Sequence, residues 1–222
     1  MASSINASTS GGGGVIVTSD ATGNLNIQSG GSTVVAVTSS GATVTGTLAA
    51  TGAITGSSTV AGSTGILYPL TSGTAVATTS GTSIDFTSIP SWVKRITVML
   101  NAVSTNGTSV IQVQIGSGSV STSGYLGWSA YVSVSTVSGS VKTTGFGINS
   151  ADANNNLNGS IVITNTSGNI WNGSINVASS VAQVAVIGAG GITLGGVLDR
   201  VRITTVNGTD TFDAGSVNIL YE

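Results

Sequence analysis

RITVMLNA, residues 95–102, alternates apolar and polar side chains along most of its length. The apolar residues that share one face are Ile96, Val98, Leu100 and Ala102. Alternation with a period of two is typical of an antiparallel strand with one face in a core. The same pattern recurs at residues 111–115, 200–204 and 217–222, so the C-terminal part is predicted to be all-β.

The composition supports this prediction and limits the function classes. Charged residues make up 5% of the 222, against roughly 25% in an average globular domain. Strand-favouring Val and Thr are abundant, whereas helix-forming Leu, Glu, Lys and Arg are scarce. A surface with so little charge favours association, which indicates that the chain works inside an assembly of its own copies.

Several kinds of chemistry are disfavoured by the same composition. The chain contains no Cys and no His, which excludes disulfides, thiolate metal sites, Cys nucleophiles and His general bases. The net charge is −2 with no basic patch, so no nucleic acid is expected as a partner. The N-terminus does not resemble a Sec signal, and no run approaches 18 apolar residues, so no membrane insertion is expected.

Near residue 66 the sequence changes from short apolar groups to longer segments of alternating apolar and polar residues, and this change divides the chain. Residues 1–14 end in four glycines and are predicted to be a flexible N-terminal anchor. Residues 15–65 contain short groups of apolar residues separated by Thr-Gly dipeptides. These groups are too small to bury a core within one chain. We expect them to form a short intertwined β stalk of several copies, the alternative being disorder.

Residues 66–222 are predicted to form a jelly-roll-like antiparallel β-sandwich head of about eight to ten strands. Their turn signals are the four Asn-Gly pairs that start at Asn106, Asn158, Asn172 and Asn207. Asn-Gly suits tight hairpins, and the spacing of the strands fits a sandwich.

No catalytic, cofactor or metal site is predicted. A glycosidase needs two facing carboxylates, but Glu222 is the only glutamate, and Asp210 and Asp213 are better explained by a turn. The segment 152–156, DANNN, begins like a calcium loop, but Leu157 and Ile163 stand where an EF-hand needs Gly and Glu. The chain is therefore expected not to be an enzyme.

The strand around Trp128 carries the one candidate binding residue. Its even positions, Trp128, Ala130, Val132 and Val134, form an apolar face, which predicts that Trp128 lies in the core. Tyr131 then lies on the polar face as an exposed aromatic side chain. It is a candidate for a subunit interface or for receptor binding, and both possibilities remain open.

Several sequence segments resemble segments of a known group of proteins. GNLNIQSGG at 23–31 followed by TVVAV at 33–37 resembles the stalk repeats of bacteriophage fibre proteins. IPSWVKRITV at 89–98, LDRVRIT at 198–204 and DAGSVNILYE at 213–222 resemble the C-terminal domain of tailed-phage fibre and virion proteins. The resemblance implies a virion structural protein, commonly a homotrimer, and supplies no functional residues.

The predicted function is thus that of a short trimeric fibre, on the tail or the head of a phage, that contributes to host attachment. Its expected partners are its own copies, other virion proteins through the N-terminal segment, and a host surface glycan or protein. The alternative within the virion is a capsid decoration or cement protein, present in hundreds of copies rather than dozens. A depolymerase lacks its carboxylate pair, and a bacterial adhesin or ice-binding solenoid lacks a secretion signal and regular Thr spacing.

Overall fold

A computed structural model describes residues 25–29, 31–46, 60–62, 65–67 and 70–222. The predicted anchor, residues 1–14, lies outside the described residues. The chain divides into two compact units, Met1–Ser58 and Thr59–Glu222. The second unit thus begins slightly before Ile66, where the head was predicted to start.

The first unit contains a small antiparallel meander. Its strands are β1 (Leu25–Ser29), β2 (Ser32–Thr38) and β3 (Gly41–Val44). Leu25 lies opposite Val37, and Ile27 lies opposite Val35, which in turn pairs with Val44. Leu25, Ile27, Val35, Val37 and Val44 therefore share one face of the sheet, yet Leu25 and Ile27 remain 46% and 49% exposed.

The described part of the second unit is built from strands, and it contains no helix. Its strands are β4 (Val60–Gly62), β5 (Gly65–Leu67), β6 (Thr71–Ser72), β7 (Val76–Ala77), β8 (Ser83–Thr87), β9 (Arg95–Thr105), β10 (Ile111–Ser117), β11 (Ser119–Val120), β12 (Leu126–Val132), β13 (Val137–Lys142), β14 (Phe146–Gly147), β15 (Leu157–Ser167), β16 (Ile170–Ser179), β17 (Val184–Thr193), β18 (Arg200–Thr205) and β19 (Phe212–Tyr221). The predicted all-β class is confirmed.

Two antiparallel sheets make the sandwich. The larger has nine strands in the order β13-β12-β17-β16-β15-β9-β19-β6, with β7 also paired to β19. The smaller has the order β11-β10-β18-β8, with β14 paired to β10. The chain crosses repeatedly between the two sheets, as in a jelly roll, while β15, β16 and β17 form a meander.

The core lies between the sheets and contains the residues that the alternation placed there. The larger sheet contributes Ile96 and Val98, and the smaller sheet contributes Val201 and Ile203, all fully buried. Fully burying one such side chain contributes about 1.5–3 kcal/mol. This inner layer is the main stabilising element of the fold.

Two of the four predicted Asn-Gly turns are wrong. Asn106-Gly107 and Asn207-Gly208 do lie in loops, but Asn158-Gly159 is inside β15 and Asn172-Gly173 is inside β16. In β16 a Cβ atom on the glycine would lie 2.7 Å from the ring of Phe146. The glycine is thus explained by close packing of an aromatic ring and not by turn geometry.

Candidate interaction surface

The register of β12 decides which of its side chains reach the core. Ser129 is fully buried, and its Oγ donates a 2.6 Å hydrogen bond to the carbonyl oxygen of Gly147 in the smaller sheet. The odd-numbered residues of β12 therefore point into the sandwich. Trp128 points the other way and is 50% exposed, so the prediction that Trp128 lies in the core is wrong.

Small residues explain this orientation. A Cβ atom at Gly188 of β17 would lie 2.5 Å from the Cβ of Ser129, so these two strands leave no room for a large side chain on the inner side. A tryptophan there would also displace β14 from its place over Ser129. The bulky residues of β12 consequently occupy the outer side.

Tyr131 occupies the inner side at the margin of the core. It is partly buried and packs against the core cluster, so the prediction that Tyr131 lies on an exposed polar face is wrong. It lines an open groove of about 410 Å³ together with Ser133, Thr136, Asp152 and Val184. Its role at a subunit interface or a receptor site stays a prediction.

The exposed apolar residues of this region share one face. Register pairs Trp128 with Val141 of β13, Val132 with Val137, and Ala130 with Ile187 of β17. We call this surface the Trp128 face, and its residues are Leu126, Trp128, Val132, Val137, Val141 and Ile187. Each of the six is more than a third exposed, and Leu126 reaches 82%.

The indole ring lies flat over the outermost strand. A Cβ atom at Gly139 would lie 2.1 Å from Cζ2 of Trp128, so only glycine leaves room for the ring. Ala130, the register partner of Gly139, is consequently 1% exposed although it lies on the outer face. Trp128 is thus held in a fixed position by its neighbours while half of its surface remains open.

The nearest cation points away from this face. Lys142 is in register with Gly127, on the inner side, and its stem lies over Gly147. Its Nζ donates hydrogen bonds to Ser140 Oγ at 2.6 Å and to Asn149 Oδ1 at 2.8 Å. Partial burial lowers the pKa of the Lys142 ammonium group. The Trp128 face itself contains no charged residue.

A second surface, on the outer side of the smaller sheet, is polar. The alternation at residues 111–115 places Gln112 and Gln114 on the polar face of their strand, but both are buried beneath the segment around Thr144. Thr144 Oγ1 donates to Gln112 Oε1 at 2.8 Å, and Gln114 Nε2 donates to the Thr144 carbonyl at 2.8 Å. Beside them Arg202 forms a bidentate pair with Asp85, at 2.7 and 2.8 Å. These side chains satisfy one another, which fits a structural role.

Two of the described carboxylates, Asp199 and Asp210, also have structural partners in loops. Asp213, which was predicted in a turn, lies in β19. Asp199 accepts hydrogen bonds from Arg200 and from the Gly118 backbone, which lower its pKa. Asp210 accepts from Asn207 Nδ2 and from the Ser109 backbone N–H, which lower its pKa as well. These contacts hold loops together.

The segment that begins like a calcium loop is closed by its own contacts. Asp152 Oδ1 accepts a hydrogen bond from the Asn154 backbone at 2.9 Å. Asn155 is buried and exchanges hydrogen bonds with Ser150. In the described part of the chain, no cluster of three or more Asp or Glu residues is placed to hold a metal ion. No helix in the described ranges is long and apolar enough to cross a membrane.

Comparison with protein-family models, with curated proteins and with solved structures returned no match for this chain. The case for a function therefore rests on the residues and the geometry described above.

Proposed function

We propose that this chain is a structural protein of a bacteriophage particle, a short homotrimeric fibre of the tail or the head that contributes to host attachment. The observation that carries the proposal is the uncovered apolar face of the β1–β3 sheet. A three-stranded sheet needs a covered apolar face to be stable, and this one exposes about half of Leu25 and Ile27. Copies of the same sheet placed side by side supply that cover.

The β-sandwich is consistent with this proposal as a domain with a structural role. Asp85 and Asp199 pair with arginines and Asp210 holds a loop, so these three carboxylates of the described residues are engaged in structural contacts, which favours a mechanical or adhesive role. The low charge of the chain fits a protein whose surface is shared with neighbours. The resemblance of the stalk and head phrases to phage fibre proteins points the same way.

The first test is the mass of the full chain in solution by light scattering. We expect three times 21.6 kDa. Ile27→Lys with Val35→Lys places charge on the apolar side of the small sheet and is expected to weaken the trimer. The matched control, Asn26→Lys with Ala36→Lys, changes a register pair on the opposite side and is expected to leave the mass unchanged. A monomeric wild-type chain would refute the stalk.

The second test is the location of the chain. Antibodies raised against it are expected to label intact phage particles that carry the gene, at a few to dozens of sites. Labelling of the whole capsid surface in hundreds of copies would instead identify a decoration or cement protein. Absence of the chain from purified particles would contradict both roles.

A further inference from the structure

The Trp128 face has the size of a specific protein interface. The exposed fractions of its six residues correspond to roughly 650 Å², within the roughly 600–1,000 Å² that each partner contributes to a standard interface. Single exposed apolar residues are ordinary on a protein surface, whereas a contiguous apolar patch of this size marks an interaction site.

The charge of the face selects the kind of partner. A patch that meets its own copy must not repel itself, and the Trp128 face contains no charged residue that could do so. A partner recognised through charge would have nothing to pair with here. The surface is therefore suited to another copy of the same uncharged surface or to a similarly apolar part of the same chain.

The open edge of the larger sheet adds a second observation. β13 is the outermost strand of its sheet, and its first five residues, Val137 to Val141, are exposed. Free edges are usually protected by proline, by bulges or by charge. Here the last residue of the strand, Lys142, is charged, and Asn149 Nδ2 donates a 3.0 Å hydrogen bond to the Ser138 carbonyl, but Val137 and Val141 stay exposed. The exposed valines extend the apolar surface of the Trp128 face to the rim of the larger sheet.

We infer that the Trp128 face and the adjoining edge of β13 bind a second copy of this chain, so that the heads contact one another directly. The inference rests on the proposed function, in which copies of the chain associate through the N-terminal sheet. It adds that the heads of the same copies also bind one another. It goes further in naming the surface and its central residue, Trp128.

A glycan is the other occupant to consider, because a tryptophan ring can stack on a sugar. Sugar binding also requires polar groups around the ring that pair with hydroxyls. The register neighbours of Trp128 are Val141 and Ala189, and the ring lies over Gly139. The nearest polar side chains of this outer side, Ser174 and Asn176, lie on β16, opposite Ala189 and Ile187 of β17. Because the residues that touch the ring itself are apolar, a protein partner is favoured over a glycan.

The direct test is the accessibility of Trp128 in the full-length protein, measured by acrylamide quenching of fluorescence. The chain has two other tryptophans, Trp92 and Trp171, so the difference between the wild type and Trp128→Phe isolates the signal of Trp128. We expect the quenching constant of Trp128 to be at least threefold lower at concentrations where light scattering gives an oligomer than at the highest dilution. An oligomer in which Trp128 is quenched as strongly as at the highest dilution would overturn this inference and leave the stalk trimer intact. A protein that is monomeric throughout would overturn both proposals.

Charge substitutions provide the second test. Val137→Lys places an ammonium group on the Trp128 face, whereas Val197→Lys is a control at a similarly exposed valine outside it. We expect Val137→Lys, folded by circular dichroism, to restore quenching of Trp128 to the level measured at the highest dilution of the wild type, and Val197→Lys to have no effect. Equal protection of Trp128 in both variants would contradict the inference. Protection of Trp128 that appears only when soluble glycans are added would identify a sugar as the occupant and also refute the inference.

Discussion

Replacing Tyr125 by phenylalanine removes one oxygen atom from the interior of the head. The hydroxyl of Tyr125 accepts a 2.8 Å hydrogen bond from the backbone N–H of Ile115 and donates to its carbonyl at 3.3 Å. Along this edge of β10, β14 pairs only with residues 112 and 113, and β11 only with 116 and 117. The tyrosine thus substitutes for a strand at the one position that neither short strand reaches.

The cost of Tyr125→Phe follows from this geometry. The Ile115 carbonyl keeps a second partner, the backbone N–H of Ser121 at 3.0 Å, but the Ile115 N–H is left without an acceptor at a fully buried residue. A buried donor left unsatisfied costs about 1–3 kcal/mol. The edge-to-face contact of the ring with Phe146 is retained, so packing contributes little to the loss.

The same hydroxyl makes stability depend on alkaline pH. Burial raises the pKa of Tyr125 from 10.0 to about 12, partly offset by the hydrogen bond from Ile115. Because the folded pKa lies above the unfolded one, the contribution is fully present below pH 10 and is lost as the pH rises towards 12. A shift of this size corresponds to roughly 2–3 kcal/mol.

Urea unfolding of the full chain at one fixed protein concentration measures both effects. The wild type is expected to exceed Tyr125→Phe by about 1–3 kcal/mol near neutral pH, and the gap should close between pH 10 and 12. Tyr131→Phe, at the margin of the core, is the control and should follow the wild type. Equal stability at neutral pH, or parallel curves up to pH 12, would refute the assigned role of Tyr125.

Two further predictions concern packing and charge. Gly173→Ala should lower the free energy of unfolding by roughly 1–3 kcal/mol, because its new Cβ would meet the Phe146 ring. Gly195→Ala is the control and should be neutral, because no atom lies within 4 Å of its new Cβ. Calorimetry of the two variants checks this, and equal melting temperatures would contradict the described packing of Gly173 against Phe146. Asp85→Asn breaks a pair with Arg202 that is about a third exposed, so urea unfolding should change by less than about 1 kcal/mol, and a larger loss would show that the pair is coupled to the core.

The part of the fold that alternation predicted is the inner layer of the sandwich. Ile111, Val113 and Ile115 point inward, as do Val217 and Ile219. These positions were predictable because a strand between core and solvent has only two faces, and one of them must be apolar. The all-β class followed from the same residues and from the scarcity of helix formers.

Other features of the fold could not be predicted from the sequence, because they depend on contacts between segments that are distant along the chain. Gln112 and Gln114 look like a solvent face, yet a segment some thirty residues later covers them and satisfies their amides. The glycine in Asn172-Gly173 looks like a turn residue, yet it is required by a ring from β14. In each case the deciding partner is far along the chain, and no local pattern identifies it.

The orientation of β12 has a different cause. Alternation states which side chains share a face, but not which face meets the core, since a shift of one residue exchanges the two. On β12 the apolar side, with Trp128, is outward, and the side that contains Ser129 is inward. An apolar outer face is unfavourable in an isolated chain and becomes favourable when another molecule covers it. The apolar side of β12 is thus exposed in one chain and would be buried if a second molecule covered it. This exposure is itself an argument for a partner at Trp128.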